Sequence, residues 1–303
     1  MPSDAPNPTT TRYVRAALGV AASWFLTGCT PGVLDPVGPV GSAEKTILFN
    51  ALAIMLAIVV PTILATWGVA WWFRSSNTRA RRLPDWAFSG RIELVVWSIP
   101  LLTITFLGGV IWIGAHQLDP YRPLAGTQPP LYVEVVSLDW KWLFIYPGQG
   151  IAAVNQLVIP AGRPVHFRLT SASVMNAFFV PRMGSMIYTM NGMATQLSLQ
   201  ADKPGVFAGL SSHYSGDNFS DMAFNVRAVP PAAFEAWIAR VRRGGPVLDT
   251  ASYLALTRQG TARPFTYSAA APRLFDTVVL HTQGPGPVGK AEKPAEISPR
   301  NAQ

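Results

Sequence analysis

A chain of 303 residues can hold one large or two small domains. Hydrophobic residues make up 49% and charged residues only 13%, which points to a membrane protein with a soluble part. The formal net charge of +8 rests on short basic runs beside apolar spans, where it sets orientation, so nucleic acid is excluded as a partner. A single cysteine, Cys29, excludes an intrachain disulfide and a thiolate metal site.

Residues 1–11 are polar and proline-rich; Arg12 and Arg15 then precede the apolar run Ala16 to Leu26, the layout of a secretory signal. That run ends Leu26-Thr27-Gly28-Cys29, which resembles a bacterial lipoprotein cleavage box. The expectation is a signal peptide over 1–28 and acyl chains on Cys29, tying a linker over 29–45 to the membrane surface. From Thr30 to Ser42 glycine and proline dominate, and no regular element is expected.

Thr46 to Phe73 is 28 residues without a charge, long enough as a helix (roughly 42 Å) to cross a hydrocarbon core. Pro61 predicts a kink, and Trp67, Trp71 and Trp72 gather at the exit as an interfacial belt does. Arg74, Arg79, Arg81, Arg82 and Arg91 crowd the following loop, the mark of a cytoplasmic side. Ile92 to Ala115 supplies the second span, so 46–115 is expected to be a transmembrane hairpin with both ends outside. Glu93 stands at the cytoplasmic start of that span. It reads either as a favourable partner of the helix dipole and Arg91 or as a functional ionisable group near membrane depth.

After His116 the pattern becomes that of strands. Tyr132 to Ser137, Lys141 to Tyr146, Pro164 to Thr170, Thr195 to Ala201 and Met222 to Ala228 are rich in Val, Ile and aromatics or alternate in polarity. Turn residues every eight to twelve positions predict a sandwich or barrel over 120–229. Ala232 to Arg243 and Leu248 to Arg258 read as helices of a C-terminal extension, 230–283, and 284–303 as a disordered tail.

Within the β region, Gly209-Leu210-Ser211-Ser212-His213-Tyr214-Ser215-Gly216-Asp217-Asn218-Phe219-Ser220-Asp221-Met222 resembles the copper-binding loop of cytochrome c oxidase subunit II. That family reads Cys-x3-Cys-x3-His-x2-Met, with another histidine on an earlier loop. Here the same spacing carries Ser211, Ser215, Phe219 and Met222, and Asn176 stands at the earlier histidine's place. The family's ligand at the position of His213 is a backbone carbonyl. Soft thiolates and imidazoles suit copper, and hydroxyl, amide and phenyl groups do not replace them. A loop of this length without its ligands is the pattern of subunit II of the bacterial cytochrome bo-type ubiquinol oxidases. Val136 to Pro147, with Trp140 and Trp142, also resembles the family's aromatic-rich strand.

The resemblance implies a two-helix transmembrane hairpin followed by an all-β, cupredoxin-like Greek-key sandwich with a short helical C-terminal extension. It implies a second subunit of a proton-pumping haem–copper ubiquinol oxidase, in the inner membrane with the sandwich in the periplasm. Its partners would be the catalytic subunit I, small membrane subunits, lipid and ubiquinol. Haems and a copper ion would lie in subunit I, with no cofactor, metal or catalytic residue in this chain. Glu93 would stand at the entrance of a proton-uptake channel. In the cytochrome c oxidases the stretch holding Trp140 and Trp142 passes electrons to copper; here that path has no destination, and packing or subunit contact is expected.

Other constellations carry less. His213 with Met222 does not fill a copper site, and His116, His166 and His281 show no ligand spacing. Met183, Met186, Met190 and Met193 read as core filling. Ser211, Ser212, Ser215 and His213 lack the nucleophile elbow of a hydrolase. Between Asp119 and Val229 six acidic residues face seven basic ones, a poor attractor for a basic cytochrome. Two further readings stay open: a stand-alone membrane-tethered cupredoxin-like lipoprotein that binds a partner, and an atypical cytochrome c oxidase subunit II.

Overall fold

The computed structural model describes residues 32–81 and 83–281 in two compact units, one within Met1–Gly114 with Pro181–Gly184, the other within Ala115–Val180 and Ser185–Gln303. The expected signal peptide, Cys29 and the tail from 284 lie outside the described residues.

The first unit is built on helices α1 (Pro39–Trp72) and α2 (Gly90–Gln117), both long and apolar enough to cross a membrane. Their apolar side chains face outward on every side; Trp67 and Trp97 are 71% and 73% exposed, as lipid-facing groups must be. α1 begins seven residues before Thr46, which corrects the expectation of an irregular 30–42 segment and a linker reaching residue 45. The reason is Pro39: at the first helical position its missing N–H and fixed φ favour a helix start. α1 runs unbroken through Pro61, and α2 through Pro100. Gly114 of α2 admits the Ile47 side chain of α1; a Cβ there would lie 2.7 Å from the Ile47 Cδ1.

The second unit is a sandwich, cupredoxin-like as expected. Its strands are β1 (Leu131–Leu138), β2 (Lys141–Tyr146), β3 (Ile151–Val154), β4 (Gln156–Pro160) and β5 (Val165–Ser171). There follow β6 (Asn176–Val180), β7 (Gly184–Thr189), β8 (Thr195–Leu199), β9 (Gly205–Ser211) and β10 (Ala223–Val229). The chain continues through α3 (Pro231–Arg243), β11 (Val247–Leu248), α4 (Thr250–Leu256), β12 (Phe265–Tyr267), β13 (Ala269–Ala270) and α5 (Leu274–His281). One sheet has the order β12-β3-β2-β1-β5-β8, the other β4-β10-β9-β6-β7, and β11 pairs with β13. Parallel pairs β1–β5 and β4–β10 require crossovers between the layers, the signature of Greek-key connection.

Between the sheets lies an aromatic core. Phe178 stacks on Phe224 at 5.2 Å, and Trp142 meets both rings edge-on at 5.6 Å. Each such side chain, taken fully out of water, contributes roughly 1.5–3 kcal/mol. Gly209 allows this packing, because a Cβ there would sit 2.2 Å from the Phe224 ring.

The C-terminal extension corrects the expected boundary at 229/230. β12 pairs antiparallel with β3, Phe265 opposite Val154, so the extension completes the six-stranded sheet. α4 and α5 build a second core on that sheet's outer face, where Leu256, Leu274, Phe275 and Val278 pack on Val136, Leu138, Leu143 and Ile145. This explains why β2 is buried at all six positions instead of alternating.

Candidate functional site

The residues at the copper-ligand spacing come from β6, the end of β9 and the loop that leads to β10. Backbone bonds fix the frame: the Ser211 N–H donates to the Met222 carbonyl and the Ser212 N–H to the Ala177 carbonyl, both at 3.1 Å. Inside it the Ser211 hydroxyl lies 3.1 Å from the Asn176 Oδ1 and 3.2 Å from the His213 carbonyl oxygen, with its single proton to offer them. It also accepts from the Ala177 N–H at 3.4 Å. Asn176 and Ser211 are both buried, and the Asn176 amide donates to the Val174 carbonyl at 3.2 Å. Ser215 reaches the buried Met222 sulfur at 3.9 Å. The structure thus brings Asn176, Ser211 and the His213 carbonyl into one cluster and couples Ser215 to Met222.

Phe219 is turned to other work. It opens a one-turn 3₁₀ helix, Phe219–Asp221, and its ring meets Tyr214 edge-on at 5.6 Å. The His213 side chain packs against Tyr188 at 5.8 Å while only its carbonyl faces Ser211. Among the described residues no three His, Cys, Asp or Glu side chains gather as a metal set. The groups at the ligand spacing are two hydroxyls, an amide, a carbonyl and a thioether, and the hydroxyls are engaged by their neighbours. That set does not fit a dinuclear copper centre, which needs bridging thiolates and imidazoles.

Trp140 props the loop from below. It sits in the two-residue turn between β1 and β2 with φ of 61°, a left-handed conformation costly for a bulky residue. Its indole N–H donates to the Ser215 carbonyl at 3.1 Å, and its ring lies against Gly216. Trp142, fully buried, donates to the Met222 carbonyl at 3.4 Å. Both tryptophans therefore pack, and both hold this loop.

Two features escaped the sequence. Lys141 lies between those tryptophans, points to the other side and is buried; its ammonium donates to the carbonyls of Arg258 at 2.6 Å and Gly260 at 2.8 Å. Burial pushes its pKa down. Asn155 accepts from the Trp142 N–H at 2.8 Å and donates to the Ala262 carbonyl at 2.7 Å. A Lys between two aromatics gave no sign of a buried partner. The methionine reading also needs correction: Met183 is buried, but Met186 and Met193 are 41% and 53% exposed. Gly184 and Gly192, both at positive φ, turn the chain so that these side chains cannot share one inward face.

Glu93 occupies the first turn of α2, where the Trp97 indole N–H, one helical turn on, donates to its carboxylate at 3.1 Å.

The family described as "Cytochrome C oxidase subunit II, periplasmic domain" matches residues 140–229. The chain is 49% identical over 265 residues to "Ubiquinol oxidase subunit 2" of Acetobacter aceti, covering 86% of each. It is 45% identical over 263 residues to "Cytochrome bo(3) ubiquinol oxidase subunit 2" of Pseudomonas aeruginosa, covering 86% of this chain and 80% of that one. It is 33% identical over 248 residues to "Quinol oxidase subunit 2" of Bacillus cereus, covering 81% and 85%.

Proposed function

This chain belongs to the ubiquinol oxidase subunit 2 family, within the wider subunit II family of haem–copper oxidases, and on that premise we propose how it serves its complex. It is a membrane subunit of a haem–copper ubiquinol oxidase, whose catalytic subunit I is its partner. The complex oxidises ubiquinol and reduces oxygen to water, and this subunit takes part without a redox centre of its own. One observation carries that reading: Ser211, which the loop spacing aligns with a thiolate of the copper-binding family, has its hydroxyl already engaged with Asn176 and the His213 carbonyl.

The physical logic is consistent. Ubiquinol is lipophilic and reaches the catalytic subunit within the bilayer, whereas a water-soluble cytochrome docks outside and needs a metal relay there. The subunit therefore supports assembly and holds its sandwich in the periplasm, anchored in the inner membrane by α1 and α2 and by acyl chains on Cys29. Small membrane subunits complete the assembly, and the haems and a copper ion belong to subunit I. Mass spectrometry of the mature chain tests the anchor: an N-terminus at Met1 or an unmodified Cys29 contradicts it.

Glu93 collects protons at the cytoplasmic mouth of the complex. The support is its place in the first turn of α2, its hydrogen bond to Trp97, and the arginines of the preceding loop. Glu93→Gln should slow oxygen consumption while leaving haem content intact; turnover equal to the parent from pH 6 to about 9 rules the role out. The reading as a whole is tested by purifying the complex through this chain. Haem and quinol-dependent oxygen uptake should co-purify, and a haem-free chain would defeat it.

A further inference from the structure

The C-terminal extension contains a cavity that neither the sandwich nor the copper-loop geometry uses. It has a volume of about 550 Å³ and lies between α4 and α5, with Ala172, just past β5, also at its wall. Leu254, Leu274, Val278 and Pro272 give it an apolar surface, and none of the described residues lining it is charged. The size falls within the roughly 300–1,000 Å³ of small-molecule sites.

Of its polar groups, Thr250 is exposed to solvent and two other hydroxyls are engaged. The Thr257 hydroxyl donates to the Leu254 carbonyl at 2.8 Å, and the Thr277 hydroxyl to the Arg273 carbonyl at 3.0 Å. Their protons are committed to the helices that carry them. Tyr253 also lines the cavity, partly buried, and its hydroxyl has no hydrogen-bond partner among the described residues. Burial pushes its pKa up to about 12, so it stays a neutral donor. With no protein acceptor, this hydroxyl has a proton at the cavity wall that a ligand oxygen can take in place of water.

We propose that this cavity binds an uncharged, mainly apolar molecule bearing a carbonyl or ether oxygen, which accepts from the Tyr253 hydroxyl. A charged headgroup is disfavoured because the wall offers no counter-charge to offset its desolvation. Two sources share this chemistry, a quinone and a neutral acyl ester. The inference concerns the extension alone and does not depend on whether the Ser211 cluster binds metal.

The test is photolabelling of the full chain, in its native complex in lipid nanodiscs, with benzophenone, an uncharged aryl ketone. Saturable adducts are expected on peptides spanning 250–258 and 271–281. Displacement by decylubiquinone assigns the quinone class, and displacement by dioctanoylglycerol the acyl-ester class. Tyr253→Phe, which keeps the ring, should weaken labelling about three- to tenfold, the worth of one hydrogen bond. Leu254→Lys, at an exposed position on the rim, should weaken it further without opening the core. Labelling equal in the parent and both variants, or displaced by neither competitor, overturns the proposal. So does labelling that appears only after residues 282–303 are removed, since the chain's own end would then be the occupant.

Discussion

Three consecutive residues of one hairpin hold two regions of the sandwich by opposite chemistry. Trp140 and Trp142 donate neutral indole N–H groups to Ser215 and Met222, and so hold the loop that leads into β10. Lys141, pointing the other way, holds the extension by a buried ammonium on the carbonyls of Arg258 and Gly260. The loop is already fixed at both ends by β9 and β10, so weak neutral bonds suffice inside it. The extension reaches the sheet through the three-residue β12 and its own small core, and there a charge is used. The first region takes its shape from strands and needs no metal to hold it; the second adds a charged anchor to a short strand and a small core.

The largest expected effect lies in the loop. Combining Asn176→His, Ser211→Cys, Ser215→Cys and Phe219→His restores thiolate and imidazole at the right spacing, with the His213 carbonyl already facing residue 211. The variant should take up copper stoichiometrically and turn purple. Failure to bind would mean that the Phe219 turn holds its side chain too far away. Such a result would show that the loop's shape had drifted with its chemistry.

Next in size is the extension. Lys141→Met keeps the stem but leaves two carbonyls without their charged donor, a loss of about 2–3 kcal/mol. Limited proteolysis should then cut the 258–262 segment, while the loop at 211–222 stays protected. Cleavage at both sites, or at neither, would show that Lys141 does not anchor the extension separately from the loop.

The smallest effect concerns the contact of α5 with the sheet. Arg168 pairs with Glu134 at 3.0 Å and with Asp276 at 3.1 Å, its guanidinium lying over the Phe275 ring. Burial pushes the Glu134 pKa up; Asp276 adds to the rise, and Arg168 opposes it without cancelling it. An acid whose pKa is higher folded than unfolded binds protons more readily when folded. Its contribution therefore falls as pH rises from the ordinary carboxylate value through the raised one, and is flat above. Glu134→Gln should flatten that part of the stability profile and change stability at pH 7 by less than about 1 kcal/mol, as partly exposed pairs do. A steep loss at neutral pH would show that the ion pair, not Phe275, holds α5.

Much of this was legible in the residues. Both spans follow from unbroken apolar runs, and the sandwich from alternation such as Val165, Phe167 and Leu169, which the structure buries. The resemblance to the copper loop singled out Asn176, Ser211 and His213, which share hydrogen bonds in the fold. What stayed hidden depends on partners far away in sequence. β12 is three residues after a proline, too short for periodicity to show, and exists because β3 offers an edge. β2 reads as a buried strand, but nothing in it says that its outer cover comes from residues beyond 247. Lys141 looks like a surface charge until two carbonyls some 117 and 119 positions later are brought to it.

The Ser211 cluster should hold its loop without metal. Copper content of the full, unmodified chain decides it, measured by elemental analysis after separation from the catalytic subunit, loading with copper and exhaustive dialysis. Copper should stay at background level, with the loop around Ser211 as resistant to proteolysis as in the unloaded chain. Tight, stoichiometric copper lost on Ser211→Ala or Met222→Leu would contradict it, and would return the subunit to the metal-bearing side of its family.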